Sequence, residues 1–116
     1  MPTIAGVVSA RTLETAGAVS ADLAVLAEPH RLLVLRHLRR GARTAGFLAK
    51  ACDMSPSLAS HHLAVLAEAG LITRRQKGPY VCYTADRDRV RELYRRLGLL
   101  SGALGPAPPP YADDVC

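Results

Sequence analysis

Four histidines and three cysteines are the side chains of this 116-residue chain best suited to ligand chemistry. They are His30, His37, His61, His62, Cys52, Cys82 and Cys116. A tight transition-metal site needs three or four nitrogen, sulfur or carboxylate ligands converging on one point. His61 and His62 are adjacent, and neighbours on a helix point about 100° apart, so they are poorly placed to share an ion. The cysteines are odd in number with no Cys-x-x-Cys spacing, which argues against a disulfide framework and for a reducing compartment. Cys52 falls in a predicted turn, Cys82 on a predicted strand and Cys116 in a tail, so one chain does not easily gather the three. Cys52, Cys82 and His30 stand as weak metal candidates, and a transition-metal or redox effector is left open. Modification of Cys52 would move the helix that follows it. The ordinary role of such a free thiol is a small buried hydrophobe. His61 is expected to face outward, His62 to sit at the edge of the core, His37 on a helix surface and His30 at a helix start.

A second set of residues suits a polyanion. Ser55, Ser57, Ser60 and His61 lie on one predicted helix, and Arg74, Arg75, Gln76 and Lys77 lie on a predicted hairpin. Short polar side chains let a helix backbone approach base edges in a major groove about 12 Å wide. Basic side chains beside a Gly78-Pro79 tip can follow phosphates or enter the minor groove.

These residues need elements to position them. Ser20 reads as the cap of a first helix, with Leu23, Leu26 and Ala27 on one face and Pro29 interrupting it. A second helix spans about His30 to Arg40, with Leu32, Leu35 and Leu38 in register and Leu33 and Val34 widening the stripe. Gly41 stops it. Thr44 caps a short helix from Ala45 to about Ala51, with Phe47 and Leu48 inward. Ser55 and Pro56 then form a strong start signal, a capping hydroxyl followed by proline at the first helical position. That helix runs to about Ala69, burying Ala59, Leu63 and Leu66. Leu71–Gln76 and Tyr80–Thr84 read as a hairpin. Asp86 starts a last helix with Val90, Leu93, Tyr94 and Leu97 on one stripe.

Composition bounds the rest. The net charge is +5 and 49% of residues are apolar, with one Phe and no Trp, so one aliphatic core is expected. Basicity fits a nucleic-acid partner without proving it. No run approaches the roughly 18 apolar residues of a membrane span, and the first nine residues lack the basic leader of a signal peptide. A cytoplasmic location is therefore expected. There is no glycine-rich phosphate loop, nucleophile elbow or paired carboxylate cleft, so the chain reads as no enzyme.

Leu26-Ala-Glu-Pro-His-Arg-Leu-Leu-Val-Leu-Arg-His-Leu resembles the opening signature of the ArsR/SmtB regulators. Ser55-Pro-Ser-Leu-Ala-Ser-His-His-Leu-Ala-Val-Leu-Ala-Glu-Ala-Gly-Leu-Ile resembles their recognition helix and first wing strand. Lys77-Gly-Pro-Tyr-Val-Cys-Tyr-Thr resembles their wing. The resemblance covers about residues 20–100. It implies a winged helix-turn-helix homodimer with the first and last helices at the interface, controlling a promoter in response to a metal or redox signal. The chain departs from that family at its sensing positions. The first helix of the helix-turn-helix has no Cys pair, and the last helix has no His. No tight site of the family type is expected. A dimer could combine His30 or an N-terminal group with acidic residues of the last helix, such as Asp86, Asp88 or Glu92, giving an oxygen-rich, weak site.

The expected architecture is thus mainly α with a small β-hairpin, a dimeric winged helix-turn-helix. Residues 1–19 form an N-terminal arm or an extension of the first helix, 20–100 the DNA-binding and dimerisation domain, and 101–116 a Pro-rich tail. Partners are double-stranded DNA, a second copy through Leu23, Val90, Leu93, Tyr94 and Leu97, and a separate co-regulator protein as a further option. The alternative is a winged-helix module for protein–protein docking, which would expose apolar rather than short polar residues on its fourth helix.

Overall fold

The computed structural model describes residues 9–103. The elements are α1 (Ala10–Leu26), α2 (Pro29–His37), β1 (Arg43–Thr44), α3 (Ala45–Ala51), α4 (Pro56–Glu68), β2 (Ile72–Lys77), β3 (Tyr80–Ala85) and α5 (Arg87–Ser101). Cys116 and most of the expected Pro-rich tail lie outside the described residues.

Caps account for most boundaries. The hydroxyl of Thr44 accepts from the N–H of Phe47, that of Ser55 from Leu58, and the carboxylate of Asp86 from Arg89. Each fills one of the N–H positions that a helix start leaves without a partner. Gly70, at φ +77°, ends α4 where a side chain would be strained. The first helix starts earlier than Ser20. Ser9 is the cap, its hydroxyl accepting from Thr12, and nothing between Ala10 and Leu26 breaks the helix. The second begins at Pro29, with Glu28 as its cap.

The sheet has three antiparallel strands in the order β1-β3-β2. The hairpin was expected, but β1 was not. Two residues are too short to announce a strand, and Arg43 and Thr44 become one only by pairing with Tyr83 and Cys82. Val34, Leu38, Leu48, Leu63, Leu66 and Leu71 are fully buried, joined by Ile72, Tyr83 and Leu93, so helices and sheet share one core.

Three inward expectations fail. Phe47 is 45% exposed. Its ring meets the Arg43 guanidinium at 5.1 Å and the edge of His37 at 6.0 Å, a surface cluster with no place in the aliphatic core. Leu32 and Leu33 are exposed, because Val34 and Leu38, one turn apart, set the buried side of α2. Among the described residues no helix is long and apolar enough to cross a membrane.

Candidate nucleic-acid interface

α3, the turn at Cys52–Ser55 and α4 form the helix-turn-helix. Asp53 holds φ +53° in that turn, a left-handed conformation that Asp tolerates better than most residues. Along α4, Ala59, His62, Leu63 and Leu66 are buried, while Ser57, Ser60, His61 and Ala64 face solvent. The serines and His61 therefore share an open face. Ser55 is exposed too, but its hydroxyl is engaged in capping. Leu58 interrupts the polar character of this surface.

The hairpin register sets Lys77 opposite Tyr80, leaving Gly78 and Pro79 as a two-residue loop. Gly78 has φ +60°, as the first loop residue of a type II′ turn requires, and proline fits the second. The Gln76 amide donates to the Gly78 carbonyl at 2.8 Å, so this side chain serves the turn. Arg74, Arg75 and Lys77 are all exposed. Strand alternation divides them: Arg75 and Lys77 share one face with Cys82 and Tyr80, and Arg74 shares the other with Tyr83.

A basic cluster escaped the sequence reading. Arg36, Arg39, Arg40 and Arg43 line a concavity of about 330 Å³ with His37 and Phe47. Arg36 lies at the end of α2, Arg39 and Arg40 just past it, and Arg43 on β1, where it pairs with Tyr83.

The thiols and imidazoles separate. Cys52 is buried, and desolvation pushes its thiol up, which makes it a poor nucleophile. Cys82 is half-buried and free. Among the described residues one group of three could hold a metal: Glu28, His30 and His62, a set that includes neither cysteine. His30 Nδ1 lies 2.9 Å from Glu28 Oε1, and His62 Nε2 lies 3.7 Å from Glu28 Oε2. Burial pushes His62 below the usual histidine range. Glu28 opposes the shift, while Arg31, His61 and His30 reinforce it. Burial works to raise Glu28, but the His30 and Arg31 N–H hydrogen bonds and the nearby His62 and His30 charges outweigh it and hold the carboxyl low. Weighing His61 against His62 missed this group, because the partners of His62 come from the start of α2.

Of the residues expected at a dimer interface, Tyr94 is 71% exposed, and Leu23 and Leu97 are also exposed. Val90 is half-buried. Leu93 is only 4% exposed and packs within the chain's own core, so it offers a partner almost nothing. Leu13, Leu99 and Leu100 add exposed apolar surface on the same two helices. Arg89 reaches Asp22 at 2.7 Å and ties α5 to α1.

A helix-turn-helix domain family matches residues 26–75. The chain is 35% identical over 80 residues to the HTH-type transcriptional regulator NmtR of Mycobacterium tuberculosis, covering 69% of this chain and 67% of that protein. It is 32% identical over 92 residues to the nodulation protein NolR of Rhizobium meliloti, covering 79% and 73%. The crystal structure of NolR from Sinorhizobium fredii superposes with a TM-score of 0.67 at 28% identity, covering 90% of this chain and all of that one. The homodimeric winged helix-turn-helix DNA-binding domain from Mycobacterium bovis, solved by NMR, superposes at 0.64 with 26% identity, covering 86% and 94%. These relatives are regulators rather than enzymes, and the same winged architecture is built here from the caps, turn and hairpin described above. The chain belongs to the ArsR family of winged helix-turn-helix transcriptional regulators.

Proposed function

We propose that this regulator binds a two-fold symmetric promoter site in double-stranded DNA as a homodimer. The observation that carries the reading is that α4 exposes Ser57, Ser60 and His61 on one face and the hairpin that follows exposes Arg74, Arg75 and Lys77. In this reading Ser57, Ser60 and His61 meet base edges, Arg75 and Lys77 meet the phosphate backbone with Arg74, and Ser55 and Gln76 hold the elements in shape. The arginines around Arg43 extend the positive surface. The second copy covers the exposed Leu13, Leu23, Tyr94, Leu97, Leu99 and Leu100, since an apolar patch of this kind marks an interface. The homodimeric state of the Mycobacterium bovis domain supports that assembly. Activity is set by an effector or a partner protein.

Fluorescence anisotropy of the purified protein against a preferred promoter fragment and a scrambled duplex tests this, across a range of salt. Tight, salt-dependent binding with at least about a thousand-fold preference for the promoter site is expected. Equal and weak binding to both duplexes would replace the reading with a protein-docking module.

A further inference from the structure

We propose that Glu28, His30 and His62 form a site for one divalent first-row transition-metal ion of the cobalt, nickel or zinc kind, joining the start of α2 to the inner side of α4. Each residue offers a ligand atom within 4.8 Å of the other two. The two imidazole rings lie nearly parallel, 16° apart with centroids 5.5 Å apart, and the carboxylate lies within reach of both.

The state of His62 points to a missing partner. The residue is 5% exposed, yet Nδ1 has no hydrogen bond and Nε2 stops 3.7 Å short of Glu28. A bound ion would give Nε2 the partner that Glu28, at 3.7 Å, does not supply, while Nδ1 on the other side of the ring would still need one. Two imidazoles and one carboxylate suit the middle and late first-row ions better than calcium or magnesium, and better than soft ions that select thiolates. Three protein ligands leave a position for water.

Metal–ligand bonds of about 2.0–2.2 Å place tetrahedral ligand atoms about 3.3–3.6 Å apart. His30 Nδ1 and Glu28 Oε1, at 2.9 Å, must therefore part slightly while the wider separations close, and His30 is the half-exposed member able to move. Glu28 also caps α2, with Oε2 accepting from the Arg31 N–H at 3.1 Å. A carboxylate has about four lone-pair positions, so capping and ligation are compatible. The Arg31 charge opposes a cation here, and the Glu28 carboxylate must outweigh it. The site uses only the inner side of α4, so it stands whether or not the outer side meets DNA.

Cobalt(II) titration of the reduced full chain without DNA tests the site, read by visible d–d absorption and by calorimetry. Saturable binding of one ion per chain is expected, with no thiolate charge-transfer band. His30→Gln, at a partly exposed position, and His62→Gln should each weaken binding at least about ten-fold while the circular dichroism spectrum is kept. Cys52→Ser and Cys82→Ser should leave affinity unchanged. Should His62→Gln fail to fold, His30→Gln decides alone. No saturable binding by the wild-type chain, or full-strength binding by His30→Gln, overturns the proposal.

Discussion

Around α4 and the hairpin the exposed side chains include Ser57, Ser60, His61, Arg74, Arg75 and Lys77, with Leu58 and Tyr80 as the large apolar exceptions, whereas along α1 and α5 they include Leu13, Leu23, Tyr94, Leu97, Leu99 and Leu100. Water solvates the first surface at no cost, and the uncompensated positive charge there gains from an anion. The second surface keeps apolar area in water that a partner of matching shape would remove. One small core carries two faces of opposite chemistry, and each calls for a different occupant.

The sharpest way to break this contrast lies within α5. Leu93 and Leu97 sit one turn apart, but Leu93 is inside the chain and Leu97 is at the surface. Leu93→Ala should cost about 2–5 kcal/mol of folding stability in urea denaturation, and Leu93→Glu should prevent folding. Leu97→Glu combined with Leu99→Glu should instead keep the fold and give monomers by sedimentation velocity. A folded dimer from the double variant would move the interface elsewhere.

The DNA-facing surface divides in the same manner. His61→Ala should lose about 1–3 kcal/mol on the preferred duplex and little on scrambled DNA, measured by anisotropy. Lys77→Ala should weaken both alike and lower the salt slope by about one unit per contact. Equal losses for His61→Ala on both duplexes would take sequence reading away from α4.

A smaller effect is expected where the apolar side is tied together. Asp22→Asn leaves Arg89 without its charged partner, and should lower stability by about 1 kcal/mol. Because the pair is partly solvated, high salt should shrink the difference between variant and wild type.

The smallest effect concerns Glu92, which the Arg95 hydrogen bond, against a smaller opposing effect of burial, and then Arg96 pull down to about 2 from 4.5. A carboxylate lowered in the folded state stabilises above its unfolded value and loses that contribution as pH falls. The window is therefore pH 4.5 down to about 2. NMR titration should find the Glu92 carboxyl midpoint near the lower limit, and Arg95→Ala together with Arg96→Ala should return it towards 4.5. An unchanged midpoint in that variant would remove the arginines as its cause.

What the sequence determined by itself was local. Thr44, Ser55-Pro56 and Asp86 mark helix starts because a capping side chain reaches only two or three residues ahead. Gly78-Pro79 marks the hairpin because two residues decide the turn, and the spacing of Ala59, Leu63 and Leu66 marks the buried side of α4. Tertiary structure decided whatever depends on residues distant along the chain. β1 exists only against β3, and Phe47 lies outside the core, against Arg43 and His37. Leu93 left the expected interface for the core, although its spacing equals that of its exposed neighbours. Glu28 and His30 meet His62 only once α2 packs on α4. A periodic pattern says which residues share a face, but the packing of other elements decides whether protein, solvent or a partner covers it.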